Sequence, residues 1–188
     1  MTNLQKNNYF ILTGAMGAGK STLLKGLRRF GVTCIDEPAR QILAEQRGII
    51  GDGVPDRDPK LFTNLLLSRS IYQFKQMENH KGSVIYDRGI PDNIGYALLF
   101  DLDKNSAINA ANQYRYNKRI FFLPAWKEIY KTDDERKMSF DQALRFGDDI
   151  RKIYEDLNYE IIDVPMESPN KRAEFIQKAI SREERDGN

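Results

Sequence analysis

Residues 14–21 read Gly14-Ala15-Met16-Gly17-Ala18-Gly19-Lys20-Ser21, the pattern G-x-x-x-x-G-K-S. Few eight-residue stretches restrict a fold so tightly, because this one works only between a strand and a helix. Both flanks comply. Tyr9-Phe10-Ile11-Leu12-Thr13 is an apolar run with β-branched and aromatic members, and reads as a buried strand. From Ser21 to Phe30, Leu23, Leu24 and Leu27 recur at helical spacing until Gly31 stops the run. The glycines let consecutive backbone N–H groups turn toward one point, since positive φ costs glycine little. A helix N-terminus behind such a turn attracts an anion. Gly14, Ala15, Met16, Gly17, Ala18, Gly19, Lys20, Ser21 and Thr22 are therefore expected to wrap a phosphate chain. Lys20 would reach the β- and γ-phosphates as a flexible point charge, and Ser21 would offer its hydroxyl to Mg²⁺. The expected ligands are ATP and Mg²⁺.

Strands and helices alternate after this loop. Strands are expected at Val32–Asp36, Ser83–Asp87, Arg119–Leu123 and Tyr159–Val164. Helices are expected at Pro38–Gln46, Lys60–Asn79, Pro91–Phe100, Ser106–Tyr116, Asp133–Asn158 (bent near Gly147) and Pro169–Arg185. Gly48–Pro59 is rich in Gly, Asp and Pro and reads as a loop. The pattern implies an α/β, three-layer fold with a five-stranded parallel sheet covered on both faces. All 188 residues are read as one P-loop NTPase domain, with its core at about 9–180 and a lid at about 125–138. Ligands of such sheets lie beyond the carboxyl ends of the strands, which directs attention to the residues there.

The second strand ends in Asp36-Glu37-Pro38. Either carboxylate is placed to take a proton from an attacking hydroxyl or to hold a ribose hydroxyl. Asp36 equally suits a helix N-cap with Pro38 behind it. The third strand ends in Tyr86-Asp87-Arg88-Gly89, where Asp87 suits Mg²⁺ and Arg88 a phosphate; an Asp-Arg turn sealed by Gly89 is the plainer alternative. Between the fourth strand and the long helix, residues 126–137 mix lysines and acids around Arg136, as a mobile lid would. Thr132 and Glu135 there also form the pattern of a capping box. Arg69 falls on the Phe62/Leu65/Leu66 face of its helix, pointing into a cleft or snorkelling to its rim.

Composition removes several classes. A net charge of +2 argues against a dedicated nucleic-acid binder. The single cysteine, Cys34, excludes an internal disulfide framework and reads as a buried, inert thiol. The one histidine, His80, sits in a polar turn, so neither a zinc cluster nor a Ser-His-Asp triad is in prospect. No apolar run approaches the ~18 residues of a membrane span. Met1–Asn8 lacks the apolar core of a signal peptide, and a cytoplasmic location is expected by default.

The P-loop, Asp36-Glu37-Pro38, Tyr86-Asp87-Arg88-Gly89-Ile90-Pro91-Asp92, and the stretch from Phe122 to Tyr130 (FLPAWKEIY) together resemble the small P-loop proteins labelled AAA-domain ATPases or ATP-binding kinases. That group is similar to the nicotinamide riboside kinase domain and, more distantly, to thymidylate and deoxynucleoside kinases. The resemblance runs from about Tyr9 to Ile180 and implies a nucleoside/nucleotide-kinase-like fold. It implies a general base at Glu37, an Asp-Arg pair at Asp87-Arg88 with Tyr96 at that family's later tyrosine spacing, and a lid arginine at Arg136. Gly89 and Asp92 depart from thymidylate kinases, which carry an aromatic residue and Ser there, so thymidylate is not read as the acceptor. The AAA label implies a motor ring; this chain is too short for a helical lid domain and has no hydrophobic run closing in Asp-Glu.

Together these features lead to the expectation of a Mg²⁺-dependent kinase passing the ATP γ-phosphate to a small, nucleoside-like hydroxyl acceptor. Lys20, Glu37, Asp87 and Arg136 would be catalytic; Asp36, Glu37, Arg69 and Arg88 would bind the acceptor; Ser21 and Asp87 would hold the metal. The rival reading is an ATP-binding or hydrolysing switch acting through a protein or lipid partner. Guanine selectivity is disfavoured, because Asn117-Lys118-Arg119-Ile120 lacks the Asp of an Asn-Lys-x-Asp element. Phosphorylation of a nucleic-acid end is a third possibility.

Overall fold

The computed structural model describes residues 3–131 and 138–186, the last three by backbone only. Strand β1 (Leu4–Gln5) leads into β2 (Tyr9–Gly14), and the phosphate loop joins β2 to α1 (Lys20–Arg29). Then follow β3 (Thr33–Ile35), α2 (Pro38–Gly48), α3 (Pro59–Gln76), β4 (Val84–Asp87), α4 (Asp92–Leu99) and α5 (Asn105–Gln113). The chain closes through β5 (Tyr114–Arg115), β6 (Arg119–Leu123), α6 (Phe140–Asp156), β7 (Glu160–Asp163) and α7 (Pro169–Asp186).

The five expected strands form one parallel sheet in the order β3-β4-β2-β6-β7. Residues on β2 alternate between two cores, as a strand buried on both faces requires. Tyr9 and Ile11 join Val84, Tyr86, Ile120 and Phe122 beneath α2 to α6. Phe10 and Leu12 join Ile85, Phe121 and Leu123 beneath α1 and α7. Each such side chain contributes about 1.5–3 kcal/mol by leaving water. The result is the three-layer nucleotide-kinase-like P-loop fold, with β2 central. Its register sets Leu12 beside Asp87 and Gly14 beside Leu123, so the phosphate loop and the β4 terminus emerge side by side.

Three local expectations change. The helix expected at Ser106–Tyr116 stops at Gln113, and Tyr114–Arg115 extends to pair with Leu4–Gln5. There Tyr114 packs edge-on against Phe74 at 5.4 Å, and Arg115 lies 4.1 Å above the Tyr159 ring. Helix α6 runs unbroken through Gly147, from Phe140 to Asp156. Gly147 serves close approach instead, since a Cβ there would lie 3.1 Å from the Cβ of Ala15 in the phosphate loop. The described start of α6 is capped by Ser139 and Gln142 in a reciprocal box; Thr132, Glu135 and Arg136 lie outside the described residues. Finally, Glu37 and not Asp36 is the N-cap of α2, with Pro38 at the first helical position. Asp36 instead pairs with Arg28 at 2.7 Å.

Candidate active site

The loop after β2 is shaped by backbone constraints. A Cβ on Gly14 would lie 2.1 Å from the Leu123 carbonyl oxygen, so only glycine lets β2 and β6 stay paired to their ends. Gly19 caps α1 with φ 87°, in the left-handed region, and no side chain caps that first turn. No acidic residue stands in the turn either, which leaves the positive helix end directed into the loop. Lys20 curls back across the loop and donates to the Ala15 carbonyl at 2.8 Å. Its ammonium is buried, and burial lowers its pKa to about 8, with Arg88 adding to the fall and Asp87, Glu37 and Asp92 opposing it.

Asp87 ends β4 and is only 6% exposed. Burial, then Glu37, pushes its carboxyl up to about 7 against the pull of Lys20 and Arg88. Its Oδ1 is buried with no hydrogen-bond partner among the described residues. A buried acceptor without a donor is expensive, and a hard cation is the ligand that would satisfy it. The donors at hand, this carboxylate and the Ser21 hydroxyl, suit Mg²⁺, which commonly takes one or two protein oxygens and completes its shell with phosphate and water. No group of three or more His, Cys, Asp or Glu among the described residues could cage a metal.

Arg88 is built differently from a free phosphate fork. Its backbone sits at φ 64°, an uncommon conformation for a long side chain that costs on the order of 1–3 kcal/mol. Asp92 holds it there. One Asp92 oxygen accepts from Arg88 Nη1 at 2.9 Å and from the Thr13 hydroxyl at 2.5 Å. The other accepts from the Gly89 N–H at 2.8 Å and the Tyr154 hydroxyl at 2.6 Å. Arg88 also donates to the Gly14 carbonyl at 3.2 Å, which ties it to the phosphate loop. Its Nε lies 3.0 Å from Glu37 Oε1, an ion pair too far off-line to be a hydrogen bond. Tyr96 donates to that same Glu37 oxygen at 2.5 Å. One Glu37 oxygen is thus held by a cation and a phenol.

Part of this set lines one cleft of about 1380 Å³, with Asp92 buried behind it. Lys20, Ser21, Asp36, Glu37, Asp87 and Arg88 all border it, whereas Arg69 does not: its guanidinium pairs with Glu45 at 3.0 Å, joining α3 to α2. The helical periodicity found the face of α3 but not the partner that α2 brings to it. Cys34 also borders the cleft, where burial pushes its thiol up to about 11 and keeps it neutral. Beyond Asp36 and Glu37 the wall is mixed, with Leu43, Phe62, Met77 and Phe100 beside Arg40, Gln41, Gln73 and Gln76.

Two residues at the site escaped sequence reasoning. Asp92 showed only as a departure from a family pattern, although its i,i+4 spacing from Arg88 was a usable signal. Arg172 donates twice to the Ala18 carbonyl, both at 3.2 Å, and lies 5.6 Å from the Trp126 ring. Its only sequence signal was a charge one place from Ala173 and four from Ile176, on the apolar stripe of α7.

Comparison with known proteins places this architecture. The family model described as AAA domain matches residues 9–172. No curated protein matches the sequence. Among solved structures, a deoxyadenosine kinase from M. mycoides with bound dATP is similar at TM-score 0.66 and 16% identity, over 92% of this chain and 98% of that one. The NadR protein in complex with NR is similar at TM-score 0.70 and 18% identity, over 93% of this chain but 50% of that one, so this chain spans half of its length. Shikimate kinase from Acinetobacter baumannii in complex with shikimate gives TM-score 0.50 and 16% identity, over 93% of both chains. At these identities the likeness establishes the fold.

Proposed function

The chain belongs to the AAA-domain family, and within it we propose that this protein is an ATP- and Mg²⁺-dependent phosphotransferase acting on a small, nucleoside-like hydroxyl acceptor. The observation that carries the reading is that one cleft holds a phosphate loop, a buried carboxylate at Asp87 and a second carboxylate, Glu37, fixed through one oxygen. A ligand pocket is typically about 300–1000 Å³, and at about 1380 Å³ the cleft exceeds that range and suits a donor and an acceptor together.

In this reading the acceptor oxygen attacks the γ-phosphorus and the bond from that phosphorus to the bridging oxygen breaks, leaving ADP. The hydroxyl proton passes to Glu37, whose Oε1 is engaged by Tyr96 and Arg88. Lys20 and the loop N–H groups stabilise charge on the transferring group. Mg²⁺, held by Ser21 and Asp87, would supply further charge neutralisation on the phosphates. Arg136 is proposed as the phosphate clamp of the lid.

Arg88 takes a different part from the one the sequence suggested. One guanidinium lies between two carboxylates, Glu37 and Asp92, so an acceptor phosphate would meet net negative charge there. This favours a neutral hydroxyl and makes Arg88 the holder of Glu37. The ligands of the similar structures, dATP, NR and shikimate, agree with small hydroxyl-bearing molecules. The switch reading needs the Gly48–Pro59 loop to reorder, yet Gly53 donates to Gln46 of α2 at 3.0 Å, and Arg57 donates to the Ile50 carbonyl within the loop at 3.1 Å.

The test is steady-state turnover with ATP, MgCl₂ and a panel of nucleosides, following ADP and the phosphorylated product by mass. Product is expected with at least one acceptor. Glu37→Gln should lower kcat by about 10²-fold or more, with ADP affinity within about threefold. ATP consumption at the same rate with and without every acceptor, and no new phosphate ester, would count against the proposal.

A further inference from the structure

We infer that Arg172, on the last helix and 154 residues from the loop it touches, is a positioning residue of the nucleotide site. It acts through one peptide plane. Both terminal nitrogens of Arg172 hold the Ala18 carbonyl toward α7. In a trans peptide the carbonyl and the next N–H point in opposite directions. Fixing the Ala18 oxygen outward therefore turns the Gly19 N–H inward, toward the place where phosphate oxygens would lie. Gly19 is the left-handed cap of α1, and a Cβ there would sit 3.1 Å from Arg172 Nη1, so guanidinium and loop are in direct contact.

A second observation points to a ligand. Arg172 is 4% exposed and borders the cleft, yet its Nε is buried without a partner among the described residues. Among the described residues no carboxylate pairs with it; Glu174, the nearest acid in sequence, is exposed, and Glu167, which borders the same cleft, is held by Lys171 at 3.2 Å. A buried guanidinium with no counter-charge costs the fold several kcal/mol. An anion at the phosphate loop offsets that cost. Arg172 thus belongs with Lys20 as a second cation on the donor wall, one fixing the Ala18 carbonyl and the other the Ala15 carbonyl.

Trp126, the single tryptophan of the chain, lies 5.6 Å from Arg172 in the same cleft and provides the readout. The inference rests on reading the loop as a nucleotide site and is independent of the acceptor, so ADP binding tests it without turnover. ADP in MgCl₂ is titrated while Trp126 emission is followed, with calorimetry as a second measure of affinity. Arg172→Gln should bind ADP about tenfold or more weakly, while its melting temperature without nucleotide stays within a few degrees of the unaltered protein. Arg172→Lys keeps the charge but not the fork, and should fall about threefold. Should the glutamine variant fail to fold, the lysine variant decides alone. Unchanged ADP affinity in either soluble variant overturns the inference. Failure of every acceptor to be phosphorylated would sink the kinase reading and leave this one standing.

Discussion

On the phosphate-loop wall of the cleft, buried charges lack close ionic partners among the described residues. Lys20 and Arg172 donate to two loop carbonyls, and Asp87 Oδ1 has no donor among those residues. On the Glu37 wall the reverse holds. Asp92 accepts four hydrogen bonds, Arg88 is shared between Asp92 and Glu37, and Tyr96 closes the set. The two walls lie within one cleft, so burial alone does not explain the contrast. A site that receives a charged ligand keeps charge in reserve, because the ligand completes the pairing. A site that receives a neutral ligand must pair its charges beforehand, since unpaired buried charge costs several kcal/mol and nothing arrives to offset it.

The strongest way to break the comparison is to remove the reserve on the donor wall. Lys20→Ala should reduce turnover by about 10³-fold or more, in an assay of ADP release, with the fold intact by circular dichroism. Substantial residual activity would mean that the loop does not carry the transferring phosphate. Next, Asp92→Asn strips the paired wall of one charge and leaves Arg88 on Glu37 alone. It should destabilise the protein by about 3–5 kcal/mol in urea unfolding, because a buried pair has lost one partner. A loss under about 1 kcal/mol would show that Arg88 does not depend on Asp92.

A smaller effect sharpens the contrast through pH. With Asp87 raised to about 7, its carboxylate is lost as pH falls through 7, and protons then compete with Mg²⁺. With Lys20 lowered to about 8, its ammonium is lost as pH rises through 8. Affinity for ADP in MgCl₂ should therefore peak between about 7 and 8 and fall up to about tenfold per unit on either side, as calorimetry across that range would record. Flat affinity from pH 6 to 9 would show that neither group contributes its charge to the bound state.

Much of this was legible in the chain. The G-x-x-x-x-G-K-S segment required a strand before and a helix after, and β2 and α1 fall there. Five strands at helix-separated intervals implied the parallel sheet, and the rule of strand carboxyl ends led to Glu37 and Asp87. Element ends were less legible. Tyr114–Arg115 leaves the helical pattern because Phe74 and Tyr159, from distant segments, receive its side chains. Asp36 lost the cap position to Glu37 by one residue, a difference of backbone angle that propensity does not resolve.

What the sequence determined by itself is what depends on neighbours along the chain: the loop, the apolar periods and the carboxylates that end strands. Only the tertiary structure decided what those charges face. Arg69 meets Glu45 across two helices, Arg88 meets Asp92 and Glu37, and Arg172 crosses from the last helix to the first loop. Local spacing fixes where a side chain starts, but the electrostatic partner comes from another element, and the partner decides whether an arginine waits for a ligand or holds a neighbour in place.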